Sequence, residues 1–336
     1  MIKKVLVTGG NGFLGMQLIA QLLNHGATVR ATLRSLEQAA AVKQTLAANQ
    51  VQHLDQLSFI AADLTHDTNW TEAMANIDGV YAVAAPVFVA GASDAALAHE
   101  AEAGTLRILK AANLAGVKRV VMTGNWGAIG YSNHDRTRVT TEADWTDPAE
   151  PGLSPYEKSK LLAEKAAWQF AAAHPGQPEL AVVNPVAMLG QSLNGHVSGS
   201  FGLVAGMLDG KHRPLANVPV NVVDVVDVAT LHRLAMTQPA AAGHRFIASA
   251  NGQITLPEIA ALIRQQRPAL AAKLPTRTLP DWLVKTLAPF SARAKEGRLM
   301  LMTNRHTSTA AAQSLGWQPQ YTTEATILRT VDQLTK

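Results

Sequence analysis

Short apolar runs alternate along the chain with longer stretches in which apolar residues recur every three or four positions. "KKVLVT" (3–8) precedes the helix-like "FLGMQLIAQLLNHG" (13–26), and "ATVRATL" (27–33) precedes "SLEQAAAVKQTLAAN" (35–49). The alternation continues with "LSFIAADL" (57–64) and "TNWTEAMAN" (68–76), then with "GVYAVAA" (79–85) and a helical pattern over 93–115. "KRVVMTG" (118–124) leads through a long loop to a helical 154–173, and "ELAVVNP" (179–185) closes the series. Strands that are apolar throughout are covered on both faces, and helices between them make the sheet parallel. The pattern predicts an α/β fold, a doubly wound parallel sheet with ligands beyond the carboxyl ends of its strands.

After Pro185 the rhythm changes. Gly-rich and helical pieces (199–210) precede a strand and helix in "VPVNVVDVVDVATLHRLAM" (218–236), and then come "HRFIAS" (244–249), helices and prolines. The doubly wound domain is expected over 1–185 and 216–240. A smaller, mostly helical substrate lobe is expected over 186–215 and 241–336.

At 336 residues and 47% hydrophobic composition, the chain can bury one large α/β core or two closely packed lobes. The net charge of +4 is spread out, and the only adjacent basic pairs, Lys3-Lys4 and Lys118-Arg119, flank apolar strands. This argues against nucleic acid as a partner and suits a basic pocket for an anionic cofactor. The absence of cysteine removes disulfide and thiol chemistry. The apolar run 79–92 is broken by Pro86 and is too short to span a membrane, and the run after Lys4 is too short for a secretion signal. A cytoplasmic protein with no membrane partner is expected. The eleven histidines form no H-x-x-x-H pattern, so no metal site is expected, and no G-x-S-x-G elbow points to a serine hydrolase.

"TGGNGFLG" (8–15) follows the first strand and opens the first helix. Gly9, Gly12 and Gly15 allow a tight turn, close approach of backbone to a pyrophosphate and close helix–strand packing. The helix N-terminus adds free N–H groups and a positive dipole end. The second strand ends without the acid that binds a ribose 2′-hydroxyl; Arg34 stands there instead. A guanidinium suits a 2′-phosphate, which favours NADP(H) over NAD(H), unless Arg34 is simply a solvated surface residue. Asp63-Leu64 ends the third strand, either as an adenine-edge contact or with Asp63 capping the next helix.

"SPYEKSKLLAEKAAW" (154–168) begins with a capping serine and a proline and places Tyr156 and Lys160 one turn apart on one face. A nearby ammonium favours the phenolate and lowers the tyrosine pKa, making it a better acid–base group near neutrality. The spacing alone also fits an ordinary surface pair. The glycine turn upstream favours the chemical reading.

At this point the chain resembles the extended short-chain dehydrogenase/reductase family, in its dihydroflavonol-4-reductase-like and aldehyde/ketone reductase branch. The resemblance rests on "VLVTGGNGFLG", "VRATLR", "ADLTHD", "VYAVAAPV", "EAGTLRILKAA", "VKRVVMT", "EADWTDP", "YEKSKLLAEKAAW", "VNPVAMLG", "VDVVDVA" and "SLGWQP", covering nearly the whole chain. It implies a Rossmann domain and hydride transfer with a nicotinamide cofactor. It also implies that Tyr156 protonates the carbonyl oxygen while Lys160 holds the nicotinamide ribose and tunes Tyr156. Gly9, Gly12, Phe13 and Leu14 would lie at the pyrophosphate, Arg34 at the adenosine phosphate, and Asp63 and Leu64 at the adenine. Ala84 and Pro86 would flank the nicotinamide ribose, and Pro185 and Met188 the nicotinamide. The substrate, a small carbonyl compound, would sit between Trp126, Tyr156 and the smaller lobe. Phe88, Trp126 and Tyr131 could line its pocket or pack in the core. A monomer or a homodimer is expected, with 93–115 and 154–173 as candidate pairing helices.

The departure is at "MTGNWGA" (122–128). The family commonly reads Thr-Ser-Ser there, and its last serine donates to the substrate carbonyl. Aligned from Thr123, that position is Asn125, with Gly124 before it. Thr123 is expected to face away, and Ser132 lies in the next loop. An amide N–H can serve a developing oxyanion, so Asn125 reads as a substitute donor; alternatively it only caps the turn. The function expected is NADPH-dependent reduction of an aldehyde or ketone. The alternatives are a sugar-nucleotide epimerase or dehydratase and a non-catalytic NADP(H)-binding regulator. The absence of the acid pair after Thr123 argues against the first alternative, and retention of Tyr156 and Lys160 against the second.

Overall fold

The computed structural model describes residues 2–85, 93–176, 178–210 and 214–336. Seven parallel strands form the main sheet: β1 (Lys4–Val7), β2 (Thr28–Leu33), β3 (Leu57–Ala61), β4 (Gly79–Ala82), β5 (Arg119–Thr123), β6 (Glu179–Pro185) and β7 (Arg245–Ala248). Their spatial order is β7-β6-β5-β4-β1-β2-β3. The order reverses between β1 and β4, which opens a crevice beyond their carboxyl ends.

Strand alternation divides the core in two. Val5 and Val7 of β1 face α1 (Phe13–Asn24), while Leu6 between them joins Val80, Val120 and Val182 on the opposite face. On the first face, beyond α2 (Ala39–Ala48), α1 packs beside a later helix, α8 (Val225–Thr237). The short α3 (Trp70–Met74), then α4 (Asp94–Leu114) and, after the turn α5 (Gly127–Gly130), α6 (Pro155–Ala173) cover the second face. α4 and α6, the two candidate dimer helices, pack along each other within the chain. α6 starts at a capping box: Ser154 accepts from the Glu157 N–H, and the Glu157 carboxylate accepts from Ser154 N.

One boundary is corrected. The expected lobe 241–336 contains "RFIA", yet Arg245–Ala248 is the seventh strand of the main sheet, parallel to β6. The crossover through α8 and a left-handed turn at Gly243 (φ +75°) return the chain to the sheet edge. The remaining lobe holds α7 (Gly202–Leu208), α9 (Leu256–Gln266), α10 (Asp281–Leu287), α11 (Ala292–Met302), α12 (Ala310–Ser314) and α13 (Thr323–Leu334). A short parallel pair, Ala187–Leu189 with Val222–Asp224, carries the chain from β6 toward this lobe. No helix among the described residues is long and apolar enough to cross a membrane.

Candidate active site

The turn after β1 is built by steric necessity. Gly9 adopts φ +67°. A Cβ on Gly15 would run into the Gly9 carbonyl oxygen, and one on Gly12 would lie 3.2 Å from that same atom. This lets α1 approach the strand end with Gly12 as its N-cap, and no side chain caps it. The first-turn N–H groups of Phe13, Leu14 and Gly15 therefore have no helical acceptor and mark the end of a cleft. Asn11 in the same turn accepts, at its carbonyl, hydrogen bonds from Asn194 Nδ2 (2.7 Å) and His196 Nδ1 (2.8 Å) of the lobe.

The cleft has a volume of about 1240 Å³. Along it lie Gly9, Gly12, Phe13, Leu14, Gly15, Arg34, Asp63, Leu64, Ala84, Asn125, Trp126, Tyr156, Lys160, Pro185 and Met188, so the structure brings these sequence candidates together. Pro86 and Phe88 lie outside the described residues. Arg34 is exposed at the end of β2, and its charge helps hold the Asp63 carboxyl below its usual range, behind the larger effect of the Thr65 N–H. Asp63 does not cap a helix; its Oδ1 accepts from Thr65 N and Oγ1, both at 2.8 Å.

At the other end, Tyr156 is 42% exposed to the cleft. Asn125 lies just beyond β5, where its Oδ1 accepts from Gly127 N at 2.5 Å. That leaves its amide nitrogen as the donor that can face the Tyr156 hydroxyl, whose ionisation the amide favours. Thr123 is turned away, as expected: its hydroxyl bonds His232 Nε2 at 2.8 Å in the core. Ser132 bonds Glu150 instead of entering the site.

The expected lowering of the tyrosine pKa is corrected. Burial pushes the Tyr156 hydroxyl up, the Asn125 amide pulls it partly back, and Glu157 adds to the rise. Lys160 is nearly buried, and desolvation lowers its pKa to about 8 against the opposing charge of Glu164 one turn further on. The charge partner that the structure gives Lys160 is thus Glu164.

Beneath this pair lies a buried polar network. Glu164, fully buried, accepts from Arg245 Nε (2.7 Å), Asn184 Nδ2 (2.6 Å) and Trp168 Nε1 (3.3 Å). Asn184 Nδ2 also donates to the Asn125 carbonyl at 3.2 Å. Arg245 stacks 3.7 Å from the Trp145 ring centroid and donates to the carbonyls of Glu142 and Asp144. Gly124 has to be glycine here, because a Cβ would strike Asn184 Nδ2 and lie 2.9 Å from Glu164 Oε2.

Sequence reasoning missed the lobe's side of the cleft: His196, Glu296, Met300 and Arg305. They carry no motif spacing: Glu296 and Met300 lie on α11, Arg305 just after it, and His196 in the irregular segment before α7. Trp126 and Tyr131 are both core and wall: each is buried, each lines the cleft, and their rings meet edge-on at 5.5 Å. His134 pairs with Glu150, and Asp135 accepts from Thr137, so both hold the loop. No metal-holding cluster occurs among the described residues.

Residues 5–248 match the family model described as the NAD dependent epimerase/dehydratase family. The chain belongs to this family. Within the NAD-dependent epimerase/dehydratase family it falls in the dihydroflavonol-reductase-like branch of extended short-chain dehydrogenases/reductases. It is 31% identical over 290 residues to an anthocyanidin reductase of Vitis vinifera, covering 82% of this chain and 83% of the relative. It is 33% identical over 242 residues to cinnamoyl-CoA reductase 1 of Petunia hybrida, covering 71% and 70%. In fold it is similar to the yeast methylglyoxal/isovaleraldehyde reductase Gre2 complexed with NADPH, with TM-score 0.79, 22% identity and 98% of each chain covered. It is also similar to vestitone reductase from alfalfa, with TM-score 0.75, 23% identity, and 99% and 98% covered.

Proposed function

We propose that this protein is an NADPH-dependent oxidoreductase that reduces an aldehyde or ketone to the alcohol. The observation that carries the reading is that Tyr156, Lys160 and Asn125 line one cleft with the glycine turn and Arg34, with the Asn125 amide favouring ionisation of the Tyr156 hydroxyl. The reductase relatives support the reaction class.

The residues fit the cofactor. A cradle that any Cβ at Gly15 would block faces uncapped N–H groups of α1, which suit a pyrophosphate. Arg34 suits a 2′-phosphate. When bound, the dihydronicotinamide supplies the hydride. Tyr156 gives its hydroxyl proton to the carbonyl oxygen; its raised pKa keeps it in the donor form at neutral pH. The Asn125 N–H stabilises the phenolate that remains, and the second hydrogen on the same nitrogen can be shared with the carbonyl oxygen. Lys160, charged below about pH 8, adds a positive charge at this end and holds the ribose.

The test is NADPH oxidation against a panel of aldehydes and ketones, with wild type beside Asn125→Ser, Asn125→Ala and Tyr156→Phe. Wild-type turnover is expected, abolished in Tyr156→Phe with NADPH affinity kept. A loss of about 10²–10³-fold is expected in Asn125→Ala, with partial retention in Asn125→Ser. Unchanged turnover in Tyr156→Phe would remove it as the proton donor. NADPH binding with no turnover of any carbonyl would favour a non-catalytic NADP(H)-binding protein.

A further inference from the structure

Arg305 is the residue the reaction above does not use. It is 6% exposed and belongs to the cleft wall with Trp126, Tyr131 and Tyr156. Its guanidinium carbon lies 4.7 Å from the Trp126 ring centroid and 5.1 Å from that of Tyr131. Its charge favours ionisation of the buried Tyr131 hydroxyl, and that of Glu157 opposes it. Its Nε and Nη2 have no hydrogen-bond partner. Among the described residues no carboxylate forms an ion pair with it.

A guanidinium cannot shed its proton, so a buried one without a counter-ion carries a large desolvation cost. Aromatic faces offset part of it. The two acids in this wall do not neutralise it directly. Glu157 is committed to the Ser154 cap, accepting from Ser154 N (3.2 Å) and Oγ (2.9 Å). Glu296 is pushed toward its neutral form by burial and by Glu157. The cation sits close to the chemistry: a Cβ on Gly127 would lie 2.6 Å from Asn125 Oδ1, 2.9 Å from Tyr131 Cε2 and 3.3 Å from Glu157 Cγ. Asn125 and Tyr131 thus meet around Gly127, in the cleft that Tyr156 and Arg305 also line.

We propose that Arg305 is a specificity-determining residue that seats an anionic oxygen group, a carboxylate in the simplest case, carried by the carbonyl substrate away from its reacting carbon. This rests on the reductase reading and narrows it to acidic aldehydes and ketones. The guanidinium gains the counter-ion it lacks, and the flat walls of Trp126 and Tyr131 favour a planar body between the two polar ends.

The experiment compares benzaldehydes bearing a ring carboxylate at the ortho, meta or para position with the same benzaldehydes bearing a methyl group. Wild type should prefer at least one carboxylate isomer over its methyl partner in kcat/KM by roughly tenfold or more. In Arg305→Met that ratio should collapse toward one, and in Arg305→Lys part of it should remain. Reading a ratio cancels any general loss of activity in the variants. Calorimetric titration of the NADP+-loaded protein with benzoate gives a second readout, in which binding weakens about tenfold in Arg305→Met and less in Arg305→Lys. Reduction of the neutral aldehydes with no carboxylate preference in wild type overturns the seat and leaves the reductase reading intact. Arg305-dependent benzoate binding without reduction of any carbonyl overturns the reductase reading and leaves the seat.

Discussion

Two residues in the site are held against their own stability. Lys160 is buried with its pKa near 8, below the ordinary lysine value. Folding is therefore penalised wherever the ammonium is charged in both states, below about pH 8, and the penalty fades as pH rises toward about 10.4, where the unfolded chain also loses the proton. Lys160→Met should abolish turnover yet stabilise the cofactor-free protein at neutral pH, by on the order of 2 kcal/mol. Denaturant melts at several pH values should show the gain shrinking above pH 8; a gain that grows there would reverse the assignment. Gly124 is the second. Gly124→Ser should cost about 1–3 kcal/mol in denaturant midpoint, since its Cβ meets an amide already fixed by Glu164 and Asn125. Restoring Thr-Ser-Ser by the double change Gly124→Ser, Asn125→Ser should thus give a less stable protein than Asn125→Ser alone. The sequence placed Asn125 at the site because it counts from Thr123. The orientation of its amide was not legible, since Gly127 and Asn184 hold the residue, the latter 59 positions away.

Among the elements, the strands were the most legible because a sheet covered on both faces leaves uninterrupted apolar runs. β7 has the same signature but follows a helix and precedes the lobe, so its four residues do not announce which unit they join. The sheet's amino-terminal edge has its own tie. Asp78, just before β4, accepts from Lys3 N and Lys4 N at 3.0 Å and pairs with Lys118 at 3.0 Å, joining the starts of three strands. These donors hold its carboxyl down to about 2. A depressed folded value means that the stabilisation is full above the unfolded value near 3.9 and is lost as pH falls through about 2. Asp78→Asn should lower stability at pH 7 by on the order of 1 kcal/mol, because the group is partly solvated, and the difference from wild type should vanish near pH 2. Equal differences at both pH values would mean that the amide backbone bonds matter and the charge does not.

On the scale of the whole molecule, the glycine-turn end of the cleft comes from the first third of the chain, and the wall beside Trp126 and Tyr131 includes residues around 296–305. That distribution explains why the glycine turn, Arg34, Tyr156 and Lys160 were readable while Arg305 was not: a local motif announces itself, and a residue delivered by a distant loop does not. The same long reach appears in Arg245, whose bond to Glu164 links the last sheet strand to the helix bearing Tyr156. Arg245→Met leaves a buried carboxylate without its cation and should cost about 3–5 kcal/mol, and adding Glu164→Gln should recover part of that loss in the denaturant midpoint. The bond also bears on synthesis. A ribosome releases six strands, the glycine turn and the tyrosine helix before Arg245 exists, and throughout that interval Glu164 lacks the guanidinium that pairs with it in the core. The emerging chain thus has its glycine turn early but a reason to stay loose around the tyrosine until the seventh strand arrives, so the last strand of the sheet fixes the helix that carries Tyr156.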